Sequence, residues 1–384
     1  MERAEQEHYF SSELLAWYRR HKRDLPWRRS RNPYHIWVSE IMLQQTRVDT
    51  VIPYFHRFID KFPTIQALAE APEDEVLKAW EGLGYYSRAR NLQTAVREVQ
   101  ERYGGVVPDT KEQVSALKGV GPYTTGAILS IAYDKAEPAV DGNVMRVLSR
   151  YFLLEEDIMK PKTRVGMENL AQKLIPEGEA SDFNQALMEL GAMVCTPKSP
   201  NCLTCPVMAG CDGRAAGREE SLPVKTKAKP PRPEARVALL LEGEGMNAGK
   251  VLIRQRPAEG LLARMWELPH ALLPAGAEQG PGVLPWADAA LSAHAAEDGI
   301  GFDGLTWLMQ AEHIFSHIRW TMDVCVARPE LLSLTSESEE TALLPSHYRW
   351  IGPEDREAYA FPNVFIRILD AYYADRSTEA GLYK

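Results

Sequence analysis

The sequence predicts a multidomain protein in which an all-α domain is followed by a mixed α+β domain. Its 384 residues exceed the length of one ordinary hydrophobic core, so at least two domains are expected. From Ser11 to about Leu190, apolar residues recur at spacings of three and four, the period of amphipathic helices. Further along the chain, Trp320, Met322 and Val324 alternate with polar residues, which is typical of strands.

A segment of linker composition separates the two parts, because Lys225, Lys227 and Lys229 are followed closely by three prolines. We therefore expect domains at 1–213 and 234–384, joined by a linker at 214–233. The net charge of −9 does not suggest a nucleic-acid partner by itself, and 45% apolar with 25% charged residues is typical of globular proteins. Without an apolar run of spanning length or a secretory signal, the sequence predicts a cytoplasmic, nucleoid-associated protein with no membrane partner.

The segment Gly119-Val120-Gly121 is a candidate site for a DNA backbone phosphate. Two glycines around one apolar residue, with Pro122 opening a helix, allow backbone N–H groups to face an anion. Such a contact positions DNA and reads no base. The same pattern is common in tight connections between helices, and spacing alone leaves both interpretations open.

Glu40 is the only acidic residue of a helix predicted over residues 33–46. Ile36, Trp37 and Leu43 lie three or four positions away and share its face. Burial among them would raise the pKa of the carboxyl group toward neutrality, which suits a general acid. A carboxylate turned outward to water satisfies the same spacing.

Asp141 is expected to have the opposite electrostatic environment. A helix beginning near Asn143 would place Asp141 at the positive end of its dipole and keep it ionised. A plain N-cap is the better interpretation unless Glu40 lies nearby. Two carboxyl groups with separated pKa values are what cleavage of a glycosidic bond requires.

Four of the five cysteines lie within residues 195–211 and predict a metal site. They are Cys195, Cys202, Cys205 and Cys211, with the spacing Cys-x6-Cys-x2-Cys-x5-Cys. Four thiolates could bind zinc or a [4Fe–4S] cluster, and the compact, uneven spacing favours the cluster. Cys325, on a predicted strand, is expected in the hydrophobic core.

Taken together, these motifs resemble the adenine DNA glycosylases of the MutY type, within the helix-hairpin-helix superfamily. The resemblance is carried by residues 25–28, 37–46, 82–92 and 141–147, by the hairpin and by the cysteine run. It implies a helix-hairpin-helix glycosylase domain with a [4Fe–4S] cluster and a Nudix-like C-terminal domain. The implied reaction is removal of adenine opposite 8-oxoguanine or guanine in double-stranded DNA, and we expect a monomer.

Positions that match the family's motifs acquire roles by this resemblance. Glu40 would protonate the imidazole ring of the flipped adenine, and Asp141 would stabilise the sugar cation, supported by Tyr123 and Asn143. Contacts to the opened base pair and the extruded adenine are implied for Trp27, Arg28, Gln45, Tyr85 and Gln185. Phe315, Ser316 and His317 match the loop that senses the oxidised guanine.

Two positions limit the chemistry. Related enzymes that also cut the strand carry a lysine nucleophile where this chain has Tyr123, which predicts base removal alone. A Nudix hydrolase needs an Arg-Glu-x-x-Glu-Glu helix for magnesium, whereas this chain reaches Pro269 and a predicted loop over 273–286. An endonuclease III-like glycosylase and lyase is disfavoured by Tyr123, and a non-catalytic lesion binder by Glu40.

Overall fold

A computed structural model describes residues 2–330 and 344–382. The chain forms two compact units, Met1–Ala71 with Arg88–Lys227, and Pro72–Ser87 with Ala228–Lys384. The first unit is helical and the second contains two sheets with flanking helices, which confirms the predicted fold class. The segment Pro72–Ser87, which the sequence analysis includes in 1–213, belongs to the second unit.

The helices begin and end as follows, with α5, α13 and α14 in the second unit. In chain order they are α1 (Arg3–His21), α2 (Pro33–Leu43), α3 (Val48–Lys61), α4 (Ile65–Glu70), α5 (Glu73–Trp80), α6 (Ser87–Tyr103), α7 (Lys111–Ser115), α8 (Pro122–Tyr133), α9 (Gly142–Tyr151), α10 (Pro161–Leu174), α11 (Ala180–Met193), α12 (Asp212–Ala215), α13 (Leu284–Glu297) and α14 (Asn363–Leu382). In the parts of the chain that the structure describes, no helix is both long and apolar enough to cross a membrane.

Helix α2, which carries Glu40, is fixed at both ends. At its start, Oδ1 of Asn32 accepts the backbone N–H of Tyr34 at 2.9 Å, and Pro33 occupies the first helical position. At its end, the buried guanidinium group of Arg88 donates to the backbone oxygens of Ile41, Met42 and Gln44 at 2.7, 3.1 and 2.6 Å. Because these carbonyls have no partner within the helix, Arg88 supplies a cap that holds α2 in place.

The hairpin between α7 and α8 requires glycine at one position. Gly119 has φ of +75°, and a Cβ there would lie 2.7 Å from Cβ of Asn91. Helix α8 begins at Pro122, as the sequence predicts, and its N-cap residue is Gly121. The first turn of α8 therefore carries Tyr123 directly behind the hairpin.

The second unit contains a four-stranded sheet in the order β4-β1-β6-β5 and a three-stranded sheet in the order β3-β2-β7. Strands β1 and β6 are parallel, and the other neighbouring strands are antiparallel. The strands are β1 (Arg232–Leu241), β2 (Val251–Gln255), β3 (Trp266–Glu267), β4 (His270–Leu272), β5 (Phe302–Ile314), β6 (Ile318–Pro329) and β7 (Tyr348–Ile351). Alternate residues of β6 enter different cores, so Trp320 and Met322 pack with α14 whereas Cys325 is buried on the other face, as predicted.

The predicted loop over residues 273–286 is wrong in its last three residues, because helix α13 begins at Leu284. Pro285 stands in its first turn, where the missing N–H of proline costs nothing. The helix has the sequence LPWADAALSAHAAE and lacks the Arg-Glu-x-x-Glu-Glu motif of a Nudix hydrolase.

Candidate active site

A cavity of about 750 Å³ in the first unit brings together most of the predicted site residues. Its wall includes Trp27, Arg28, Glu40, Gln45, Gly119, Gly121, Tyr123, Asp141, Asn143 and Gln185. The volume is typical of pockets that take a small ligand. Its wall does not include Val120, which is buried and donates its N–H to the backbone oxygen of Leu117 at 3.1 Å.

Glu40 is buried, which decides between the two orientations that its spacing allowed. Its residue surface is only 5% exposed, and the burial raises its pKa to about 7. A hydrogen bond from Tyr123 lowers this pKa, and the charge of Asp141 raises it. At neutral pH an appreciable fraction of the Glu40 carboxyl groups is therefore protonated and can donate a proton.

Tyr123 is the direct partner of this carboxyl group. Its hydroxyl donates to Oε2 of Glu40 at 2.5 Å and lies 3.3 Å from Sδ of Met188. Burial, together with the charges of Glu40 and Asp141, raises the pKa of Tyr123 well above its usual value. The phenol consequently stays neutral and acts as a hydrogen-bond donor.

Asp141 is the N-cap of α9 and lies close enough to Glu40 for their charges to interact. Its Oδ1 accepts the backbone N–H of Val144 at 2.8 Å, and its Oδ2 accepts Nδ2 of Asn143 at 2.9 Å. Burial raises the pKa of Asp141, and these hydrogen bonds only partly offset it. The predicted opposite shift is therefore wrong in direction, because burial outweighs the cap and the helix dipole.

A chain of hydrogen bonds connects Asp141 to the cysteine loop. Asn143, which donates to Asp141, accepts from Nη2 of Arg146 at 2.8 Å. The same guanidinium group donates through Nε to the backbone oxygen of Cys195 at 2.7 Å, and through Nη2 to that of Gly191 at 2.7 Å. The sequence analysis missed Arg146, although its position three residues after Asn143 puts both on one helical face.

Glu189, which lines the cavity, is a second residue that the sequence analysis missed. It lies on α11, is 1% exposed, and accepts paired hydrogen bonds from Arg23 (2.9 and 2.7 Å) and Arg28 (3.1 and 2.9 Å). Burial acts to raise the pKa of Glu189, but the two guanidinium groups outweigh it and lower the pKa to about 2. The predicted adenine contact Arg28 is thus already held in an ion pair at the pocket wall.

The remaining predicted contacts lie at different depths. Trp27 is buried in a short 3-10 helix, with its ring 5.5 Å from that of Phe55, and Gln185 is buried on α11. Gln45 is exposed just after α2 and has φ of +60°, a left-handed conformation that costs a non-glycine residue about 1 kcal/mol or more. Tyr85, also left-handed with φ of +48°, is half exposed in the second unit.

Comparison with known proteins identifies the family. Residues 38–177 match the HhH-GPD superfamily of base excision DNA repair proteins, and residues 243–371 match the NUDIX domain. The adenine DNA glycosylase of Rattus norvegicus is 37% identical over 416 residues, covering 96% of this chain and 78% of its own. The chain belongs to the adenine DNA glycosylase family. It is therefore a base excision repair enzyme that acts on DNA.

Two further relatives are similar to this chain, one over most of its length and one over its helical part. The Homo sapiens adenine DNA glycosylase is 36% identical over 418 residues, covering 94% of this chain and 74% of its own. A thermostable thymine-DNA glycosylase of known structure is 31% identical, with a TM-score of 0.52, and covers 56% of this chain and 98% of its own. The helical glycosylase fold is thus common to enzymes that release different bases.

The four clustered cysteines of the glycosylase line one small cavity after α11, together with Arg150 and Arg214. Arg150 is buried and donates to Sγ of Cys195 at 3.4 Å, to the backbone oxygen of Thr196 at 2.7 Å and to that of Leu222 at 2.9 Å. Within residues 2–330 and 344–382, no three His, Cys, Asp or Glu side chains are placed so as to hold a metal ion. The four thiols thus share one cavity, and Arg150 donates a hydrogen bond to the sulfur of Cys195.

The segment Phe315-Ser316-His317 forms the turn of the β5–β6 hairpin in the second unit of the glycosylase. Ser316 and His317 are exposed, and Oγ of Ser316 lies 3.4 Å from Nδ1 of His317. Phe315 is half-buried against the core of the unit. The turn thus presents two polar side chains to solvent above one packed aromatic ring.

Proposed function

We propose that this glycosylase removes adenine opposite 8-oxoguanine or guanine in double-stranded DNA, without cutting the strand and as a monomer. The observation that carries the proposal is the buried carboxyl group of Glu40, which accepts a hydrogen bond from Tyr123 and lies close to Asp141. A protonated and an ionised carboxyl group in one pocket can together break a glycosidic bond.

The reaction requires adenine to leave the base stack, because the pocket lies within the protein. A flipped adenine enters the cavity, and its unstacking costs a few kcal/mol that pocket contacts offset. Glu40 then protonates the imidazole ring of the base through the carboxyl oxygen that Tyr123 does not occupy. Protonation turns adenine into a better leaving group.

Departure of adenine leaves a positive charge on the sugar. The bond between the anomeric carbon and the base breaks with its electron pair going to adenine, and water then adds to the carbon. Asp141, held by Asn143 and the N–H of Val144, faces the same pocket and would stabilise the cationic sugar in its ionised form. Tyr123 offers no amine for a Schiff base, so the strand stays intact.

The cysteine cavity is proposed to hold a [4Fe–4S] cluster through Cys195, Cys202, Cys205 and Cys211. The donor chemistry supports such a group, because four soft thiols line one cavity and an arginine N–H is directed at one of the sulfurs. When bound, the cluster supplies a covalent cross-link of the loop and a redox-capable centre. Iron and sulfide analysis of the purified protein tests this assignment, with about four of each expected per chain.

The exposed Ser316 and His317 support a role for the hairpin turn in recognising the base opposite adenine. Both side chains can donate and accept hydrogen bonds, which a modified base edge requires. Replacing both with alanine should reduce the preference for 8-oxoguanine over guanine while leaving single-turnover chemistry on bound substrate mostly intact. Equal losses on both mispairs would contradict the role.

Single-turnover release of adenine from a duplex with adenine opposite 8-oxoguanine tests the mechanism. Glu40→Gln should lower the rate by about 10²-fold or more, the range for loss of a general acid. Glu168→Gln is the matched control, since Glu168 also lines the cavity but has no assigned role. Equal rates for wild type and Glu40→Gln, or efficient borohydride trapping of a covalent adduct, would refute the proposal.

A further inference from the structure

The side chain of Phe315, at the turn of the β5–β6 hairpin, is held by ring contacts. Phe315 and Trp320 form an edge-to-face pair, with ring centroids 4.8 Å apart and planes inclined at 74°. The ring of His313 meets Phe315 edge-on at 4.4 Å. The backbone N–H of Phe315 donates to the oxygen of Ile318 at 2.7 Å, which closes the turn but does not orient the side chain.

Trp320 is itself fixed from three directions and is only 1% exposed. Its Nε1–H donates to Oε2 of Glu234 at 3.1 Å, the guanidinium group of Arg236 lies 4.6 Å above its ring, and the imidazole of His270 lies 5.2 Å away. The guanidinium group of Arg236 also donates hydrogen bonds to Oε2 of Glu234 at 3.0 Å and to Nδ1 of His270 at 3.0 Å. Glu234, Arg236 and His270 form one network around the indole, so the ring has a single well-defined position.

We propose that Trp320 is the positioning residue for Phe315 and, through it, for discrimination between 8-oxoguanine and guanine. The inference rests on the proposed function, in which the 315–317 turn contacts the base opposite adenine. In that contact the ring of Phe315 would insert into the base stack, and an inserted aromatic side chain must offset the cost of unstacking. It does so best when its ring is already ordered before binding, and a three-residue turn cannot order it alone.

A double-mutant cycle on the two residues tests the proposal in the full-length enzyme. The quantity measured is kcat/KM on adenine opposite 8-oxoguanine divided by kcat/KM on adenine opposite guanine. Trp320→Leu should lower this ratio about threefold to tenfold, the strength of one edge-to-face pair, with little change in the saturating single-turnover rate. In a Phe315→Ala background, the same substitution should have no further effect.

Trp307→Phe is the matched control, because Trp307 also lies in the hairpin and its Nε1 donates to Asp323 at 3.0 Å. Trp320→Phe keeps a ring against Phe315 but loses the bond to Glu234, so it should fold and show a smaller loss of discrimination. Thermal unfolding of each variant monitors stability. Equal losses in the Trp307 and Trp320 variants, or additive losses with Phe315→Ala, would overturn the inference. If Phe315→Ala itself leaves the ratio unchanged, the proposed role of the turn fails as well.

Discussion

The hydroxyl group of Tyr123 donates a 2.5 Å hydrogen bond to Oε2 of the buried Glu40. Such a bond is strongest to the ionised carboxylate and therefore favours proton loss, whereas burial opposes it. The resulting pKa of about 7 is the balance of these effects. Activity that depends on the protonated form should accordingly decline as the pH rises through about 7.

Replacing Tyr123 with phenylalanine should move this decline to higher pH. The substitution removes a bond that lowers the pKa of Glu40, so the protonated form persists to higher pH, by about one unit. The measurement is the pH dependence of single-turnover adenine release. Tyr133 lies at the other end of α8, and its hydroxyl donates to the backbone oxygen of Val107. The control substitution Tyr133→Phe should leave the pH profile unchanged. A shift to lower pH would contradict the assigned effect.

Arg146 should be needed for both activity and the integrity of the cysteine loop. Its guanidinium group joins Asn143, which holds Asp141, to the backbone oxygen of Cys195. Arg146→Lys keeps the charge but cannot make both contacts, so we expect slower adenine release, by about tenfold, and a lower iron content. Lys173→Arg, on the exposed part of α10, serves as the control. Unchanged iron content and rate would show that the connection is unimportant.

Glu189 should contribute strongly to stability. Removing its charge leaves the guanidinium groups of Arg23 and Arg28 without their carboxylate, and we expect Glu189→Gln to cost about 2–4 kcal/mol of unfolding free energy at pH 7. Glu179→Gln, which breaks an exposed pair with Arg19, should cost less than about 1 kcal/mol. Denaturant unfolding of both variants measures the difference.

The Glu189 contribution should also depend on pH in a defined direction. Its pKa in the folded protein is about 2, below the value of about 4.3 expected in the unfolded chain. The stabilisation is therefore complete above the unfolded value and is lost as the pH falls toward 2. The difference in stability between wild type and Glu189→Gln should shrink over this range, and a constant difference would argue against the ion pairs as its source.

Arg164 on the pocket wall is expected to bind a DNA phosphate. It is exposed and donates through Nε to the oxygen of Ile158 at 3.2 Å, which leaves other N–H groups of the guanidinium for an anion. For Arg164→Gln, the slope of log affinity against log salt concentration should decrease by about 0.9, the value for one phosphate contact. The exposed Lys162, on the same helix but outside the cavity wall, provides the control Lys162→Gln. Identical slopes for wild type and Arg164→Gln would rule out a phosphate contact by Arg164.

The sequence was sufficient to predict the helical and strand periods but not the direction in which Glu40 points. Helix α2 is buried on nearly all sides, from Tyr34 to Met42, so its apolar pattern has no single face that fixes an orientation. The pKa shift of Asp141 was predicted in the wrong direction for a similar reason. Its cap and dipole can be inferred from local sequence, but its burial depends on distant parts of the chain.

Residues whose partners are remote in the sequence were missed altogether. Glu189 meets Arg23 and Arg28, which lie 166 and 161 positions away, and no local pattern connects them. Arg146 meets Cys195 from 49 positions away. The predicted loop over residues 273–286 extends too far, into the first turn of α13, because its composition rich in Ala, Gly and Pro continues to Pro285, which is a typical first-turn residue.

The ion pairs of Glu189 with Arg23 and Arg28 also affect the thermodynamics of base capture. An arginine side chain loses roughly 2 kcal/mol of rotamer entropy when it is immobilised. In this enzyme that loss accompanies folding, since both guanidinium groups are already fixed before DNA arrives. An incoming adenine therefore meets a rigid wall, and its binding energy remains available to offset the loss of stacking in the duplex.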